Sequence, residues 1–445
     1  MYHFPSNLYA DIRFEDVAQT VITYENFTLK QNKTSRERGA FLRVWDGKRW
    51  YTSAITDLDR VQAELDALAA MASPNPDIAN DPVVRRMEVN RDVCLRYSDH
   101  DVRQVPQEEK TALLDSYLPV LRQFSEISVS SASYLDTHTE KKFYSSLGAD
   151  LHFDYQRSSV VLRYTFSAGD TPFSNQQFIY REDFPSLAGQ QAELTKRMQQ
   201  DLEYAKNAVS VVPGSYTCVL SPIVAGVFAH ESFGHKSEAD LMLGSETMLR
   251  EWAIGAKVGS EILSIMDTGI PVGSGYVPYD DEGTKARKTY LIRDGILTGR
   301  LHSAATAAAL QEAVTGNARA MDFTFEPIVR MTSTYIGGGN LTLDELLAPI
   351  ETGVYIKDLN YGTGMSTFTI APATAYMIRD GKIAEPVRIS VITGNVMQTL
   401  HEIDGLTQDA EIVSSATGGC GKMEQWPLRV AFGGPYVRVN HIQVQ

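Results

Sequence analysis

Cysteine is scarce. Three in a chain of 445 residues (Cys94, Cys218 and Cys420) cannot frame a disulfide scaffold, and a reducing cytoplasm is the expected compartment. Long apolar runs are missing too. No stretch reaches ~18 apolar residues, the length a membrane helix needs, so no transmembrane helix is expected. The opening Met1-Tyr2-His3-Phe4-Pro5 has no charged start followed by an apolar run, which argues against a signal peptide. Positive charge is in deficit: 41 Lys and Arg stand against 55 Asp and Glu, a net charge of −14. No basic stripe offsets it. Nucleic acid is therefore excluded as the main partner, because phosphate binding needs a basic surface.

What is present is an ordinary globular mixture, 43% hydrophobic and 22% charged. The length predicts two domains. Residues 10–24 alternate as a strand. Residues 41–52 read as a hairpin with Asp46-Gly47 in the turn. Leu58, Val61, Leu65, Leu68 and Met71 recur at helical spacing. A strand is predicted near Cys94–Tyr97, a helix after Pro106, a long β region over 127–180, and a helix over 187–209. Val211-Val212-Pro213-Gly214 punctuates the chain, so the division is set at 1–210 and 211–445. A strand at 216–220 then feeds a helix, and two Asp-Gly hairpins follow (Asp294-Gly295 and Asp380-Gly381). This order predicts an α+β fold: an N-terminal α+β domain, then a C-terminal domain rich in strands.

The most informative stretch is His230-Glu231-Ser232-Phe233-Gly234-His235. Ser221 can cap the helix before it, and Pro222 suits the first helical position. Residues 223–229 are apolar on every side, so the helix should be buried. Buried unpaired polar groups cost about 2–7 kcal/mol each, and a metal ion is the simplest remedy for two histidines there. The alternative is a pair of core histidines that satisfy each other. The histidines are five apart, not four. At ~100° per residue the second ring lies ~140° off the first in a regular helix. Both can meet one ion only through a π-turn or a break between them. Gly234, with its wide backbone freedom, is the expected place. In the metal reading Glu231 takes a proton from water and delivers it to the leaving amine.

A zinc site needs a third protein ligand. Cys420, in Gly419-Cys420-Gly421-Lys422, is one candidate, with Lys422 favouring its thiolate. Glu238, Asp240, His302 and His401 are rivals, and His302 has a capping or surface role as its plain alternative. Cys94 and Cys218 read as packing residues. The acidic turn Asp280-Asp281-Glu282 is either a solvated loop or a substrate wall that recognises a free amine. Asn317, Arg330 and Thr332 lie in a loop and strand that could add an extended peptide to a sheet edge. Gly337-Gly338-Gly339 lacks the Gly-Lys-Ser/Thr ending of a phosphate loop.

Taken in order, these motifs resemble the TldD/PmbA family of metallopeptidases, once called modulators of DNA gyrase. The likeness rests on residues 10–15, the His230–His235 motif with Glu238 and Asp240, residues 280–283, 315–317 and 330–336, and Gly419-Cys420-Gly421-Lys422. The resemblance implies zinc held by His230, His235 and Cys420, with Glu231 as general base. It implies a dimer that encloses the catalytic chamber. One branch, TldD, carries the metal motif, and the PmbA (TldE) branch lacks it. All four residues are present here, which implies the TldD branch, a homodimer or a heterodimer with a PmbA/TldE-like subunit, and small or unfolded peptides as substrates. The alternatives are a non-catalytic partner subunit and a zinc hydrolase of another bond.

Overall fold

One long hairpin organises the first half. Strands Tyr9–Glu25 and Thr28–Trp45 pair antiparallel along their length, and Trp50–Ile55 follows through the Asp46-Gly47 turn. The Asp46 carboxylate fixes that turn by accepting from the backbone N–H of Lys48 and Arg49. Strands Ile127–Ser145, Asp150–Phe166, Phe173–Arg181 and Arg91–Cys94 complete a seven-stranded sheet. The computed structural model describes residues 2–169 and 171–445.

Helices cover this sheet where its side chains are apolar. Val61–Met71 buries Val61, Leu65 and Leu68 against Thr28–Trp45 and Trp50–Ile55. The predicted stripe was wider: Leu58 lies in a preceding 3-10 turn, and Met71 is 66% exposed because the chain leaves the sheet there. Gln107–Asp115, Leu118–Arg122 and Gln191–Asn207 share a second core with Tyr134, Leu162, Tyr164 and Phe166. The strand expected near Cys94–Tyr97 lies earlier, at Arg91–Cys94.

All strands of the first sheet end by Arg181, and those of the other sheets begin at Val209 or later. The larger of these has eight strands. Along it, Thr352–Gly364, Gly214–Leu220, Val437–Val444, Ile392–Asn395 and Thr367–Arg379 are successive neighbours, and the last pairs back with the first, closing a ring of five. A six-stranded sheet contains Ser333–Ile336 and Ala431–Gly434 as adjacent inner strands. Most pairings are antiparallel, which fits the α+β expectation.

Helix Pro222–Ala229 leaves strand Gly214–Leu220 directly and packs against both sheets. Its apolar composition on every side follows from that position. Contact is closest at Gly226, where an added Cβ would lie 2.1 Å from the Gly433 nitrogen. The helix is thereby fixed in place by backbone on one side and sheet on the other, and its C-terminal end is held rigidly.

Candidate metal centre

The end of that helix is where the chemistry gathers. Ser221 caps the start through its hydroxyl, and Pro222 takes the first helical position. After Ala229 the backbone widens into a π-turn over His230–Gly234 and then tightens into 3-10 over His235–Ser237. The His235 N–H donates to the His230 carbonyl, a five-residue step. That step stacks residues five apart, which a regular α-helix would splay. The two imidazoles lie 5.0 Å apart, nearly perpendicular.

Gly234 serves differently from expectation. Its φ of −57° and ψ of −52° are ordinary right-handed values, so no conformational freedom is used. It is needed for space: a Cβ there would sit 2.0 Å from the Met331 sulfur.

Cys420 reaches the histidines from a short hairpin, where Cys420–Lys422 pairs with Gln425–Leu428. Its Sγ lies 3.5 Å from His235 Nε2, and candidate ligand atoms of His230, His235 and Cys420 all fall within 4.8 Å of one another. Arg330, fully buried, donates from Nη2 to the Cys420 carbonyl at 2.7 Å and fixes the hairpin's approach.

The site's electrostatics follow from burial. Burial pushes His230 well below the usual histidine range, aided by the charges of His235 and Arg330. Its Nδ1 is buried with no hydrogen-bond partner among the described residues. Burial also opposes a charge on His235, but hydrogen bonds to Cys420 and Glu238 outweigh it and raise the ring to about 10. Burial lifts Glu231 to about 7; Glu238 adds to the shift and His235 opposes it. Glu231 is therefore a carboxyl group suited to holding and releasing a proton near neutral pH.

The rival ligands stand one layer back. Glu238 is fully buried and meets His235 Nδ1 at 3.1 Å, the position of an orienting partner. Asp240 accepts from the Val329 N–H and from Lys422. Lys422, expected to favour the thiolate, instead donates to Asp240 at 2.6 Å and to the Val329 carbonyl at 2.8 Å, and lies 3.2 Å from Glu238. Two nearby carboxylates attract its ammonium more strongly than a thiol would. His302 is buried, not on the surface; its ring meets Thr306 and Glu312, and Ser303 is the helix cap. His401 is exposed, remote from the cluster, at the end of Val396–His401. Cys218 is buried in the core of the second half, and Cys94 meets the Tyr276 hydroxyl at 3.7 Å.

The predicted substrate residues occupy framework positions. Asp280 accepts from the N–H groups of Glu282, Thr284 and Ala318. Asp281 takes Lys141 at 2.7 Å, and Glu282 takes Arg43 at 3.0 Å and the Ala304 N–H at 2.7 Å. The acidic turn is thus buried and tied to the first sheet and is not a solvated loop, with Asp281 alone of the three acids bordering a cleft between the halves. Asn317 and Thr332 both bond Asp267, which also receives Thr334. Strand Ser333–Ile336 has neighbours on both sides, so it has no free edge to offer a peptide. Sequence reasoning missed Asp267. Its one signal is a lone carboxylate in the short strand Ile265–Thr268, all of it buried.

With this arrangement of His230, Glu231, His235 and Cys420, comparison with known proteins is informative. The family model described as "PmbA/TldA metallopeptidase C-terminal domain" matches residues 213–445, and the model for domain 1 of the same family matches residues 10–73. The chain belongs to the PmbA/TldD metallopeptidase family. Within the PmbA/TldD family, it is 37% identical to a metalloprotease of Synechocystis sp., over 77% of this chain and 74% of that protein. It is 32% identical to a protein named zinc metalloprotease TldD homolog from Saccharolobus solfataricus, over 71% of this chain and 70% of that one. The solved structure of TldE from Thermococcus kodakarensis shares the fold, with a TM-score of 0.76 at 15% identity, over 98% of this chain and 96% of that one. The PmbA/TldD C-terminal match contains His230, Glu231, His235 and Cys420. No helix among the described residues is long and apolar enough to cross a membrane.

Proposed function

We propose that this chain hydrolyses peptide bonds of small or unfolded peptides, with His230, His235 and Cys420 as ligands of a zinc ion and Glu231 as general base. The observation that carries this is the meeting of two imidazoles and one sulfur within 4.8 Å, at the end of a rigid buried helix, beside a carboxyl group near its neutral-pH midpoint. The cluster fits a metal. The buried His230 Nδ1 has no partner among the described residues, and a nitrogen, nitrogen, sulfur donor set suits zinc better than hard cations. A zinc ion, when bound, supplies Lewis acidity for carbonyl polarisation.

The chain's own residues do the rest. Glu238 holds His235 by Nδ1 and so directs Nε2 toward Cys420. Arg330 holds the Cys420 backbone. Glu231 accepts a proton from the attacking water at its carboxylate and returns it to the departing amine. The relatives named metalloprotease support peptide bonds over other amides and esters.

The halves 1–210 and 211–445 act as two domains, supported by the separation of their sheets, except that strand Val209–Ser210 pairs into the sheet of the second half. The chain works as a dimer, with itself or with a PmbA/TldE-like subunit, supported by the likeness to TldE. Three unbridged cysteines suit the cytoplasm.

The test is peptide cleavage, followed by mass spectrometry, for wild type and Glu231→Ala, each assayed alone and with a PmbA-type partner. Loss of a general base predicts a fall of about 10²–10⁴-fold with unchanged zinc content. A variant that keeps full activity would remove Glu231 from the mechanism.

A further inference from the structure

Strand Gln425–Leu428, which pairs with Cys420, also borders a cleft of about 280 Å³ between the two halves. Three arginines line it: Arg157 from strand Asp150–Phe166 of the first half, and Arg319 and Arg429 from the second. Among the described residues none of the three has a carboxylate oxygen within 4.0 Å. Their protein partners are neutral. Arg157 donates to the Thr137 hydroxyl at 3.3 Å, and Arg429 donates to the Gly418 carbonyl at 2.6 Å. Arg319 donates to the carbonyls of Met331 and Arg429. A guanidinium carries five N–H donors, so most are left for something else.

This is unusual in a chain of net charge −14, where carboxylates are plentiful. Of the four acids that share the cleft, the two buried ones are matched to other cations, and none lies within 4.0 Å of the three arginines among the described residues. Glu15 and Asp281 face Lys141, and Asp281 also faces Arg13. Asp322 accepts from Thr324, and Glu37 is exposed. Burial lowers all three arginines from their ordinary range, Arg157 to about 9, with Arg429 adding repulsion. Three partly desolvated cations lining one cleft, with carboxylates acting on Arg319 only from beyond contact distance, are costly. The guanidinium fork matches the geometry of a carboxylate or phosphate.

We propose that this cleft is an oxyanion site, with Arg157, Arg319 and Arg429 as its donors. It takes a carboxylate or a phosphate group, and it stands independently of the metal chemistry. The oxyanion has two sources: the C-terminal carboxylate of a peptide, or a free phosphate.

The test is thermal melting and calorimetry of the full chain, with and without EDTA treatment. The probes are inorganic phosphate, trialanine, and trialanine amide. Saturable binding of phosphate or trialanine is expected in both metal states, with the amide at least tenfold weaker than the free acid. Tighter binding of trialanine assigns the site to peptide ends, and tighter binding of phosphate assigns it to a free oxyanion. Arg157→Gln and Arg429→Gln should each weaken binding at least tenfold while melting no lower than wild type without anion, since each removes one of three like charges. Arg157→Lys, which keeps the charge and loses the fork, should bind with intermediate affinity and serves as the folding control. No binding of either probe, or binding undiminished in both glutamine variants, would overturn the site.

Discussion

At the scale of single residues, Glu238 shows how the ligands are held. It is fully buried, it meets His235 Nδ1, and Lys422 lies 3.2 Å from it. Glu238→Gln keeps the shape and loses the charge that steadies the ring. Zinc affinity, measured by competition with a chromophoric chelator, should fall about 10–100-fold. Unchanged affinity would mean that His235 is oriented without it. The meeting of His230, His235 and Cys420 was legible because the pattern is rare: two histidines and a glutamate after an apolar helix, and a cysteine between glycines. The layer behind them was not. Lys422 is two residues from Cys420 along the chain, yet its ammonium faces the carboxylates of Asp240 and Glu238. Sequence spacing gives neighbourhood, and only packing gives direction. Asp280, Asp281 and Glu282 misled for a related reason: a run of acids suggests solvent unless its buried cations, Arg43 and Lys141, are known to meet it.

At the scale of elements, the π-turn is the device that makes five-residue spacing workable. Its need was legible from the angle between the histidines, and its place was legible within a residue or two. Its cause was not. Gly234 has ordinary helical angles and is required because Met331 of the neighbouring segment fills the space where a Cβ would lie. Met331 is nearly one hundred residues away and fully buried, which no local pattern reveals. Gly234→Ala should therefore cost about 1–3 kcal/mol by overpacking, read by urea denaturation. Gly234→Ala combined with Met331→Ala should cost less than the sum of the two single changes, because the double variant removes the clash. Additive costs would show that the glycine acts through its backbone after all. The same limit applies to strand Ser333–Ile336. Its residues read as a strand, but its central place in the sheet depends on Ala431–Gly434, which pairs with it from the far end of the chain.

At the scale of the molecule, the two halves meet through polar contacts as well as apolar ones. Arg13 reaches the Asp322 and Phe325 carbonyls, and Lys357 reaches Gln200. Beside Lys357, burial raises Asp358 to about 6; the Leu359 N–H opposes the shift, and the charge of Asp201 adds to it. The sign follows directly. An unfolded aspartate titrates near ~3.9, so the fold disfavours this charge, and stability is lost as pH rises from about 4 through about 6. Asp358→Asn keeps an acceptor for the Leu359 N–H. It should stabilise the protein by about 3 kcal/mol at pH 7 and by no more than about 0.5 kcal/mol near pH 4, measured by denaturation at both. Equal gains at the two values would point to packing instead of charge.

The proposed function rests on the cluster of His230, His235 and Cys420, and the most direct measurement is the absorption spectrum of the cobalt-substituted protein. Ligation by Cys420 predicts one cobalt per chain with a sulfur-to-cobalt charge-transfer band in the near ultraviolet, and loss of that band in Cys420→Ala. A cobalt spectrum without the band in the wild type, or one unchanged in Cys420→Ala, would contradict the account.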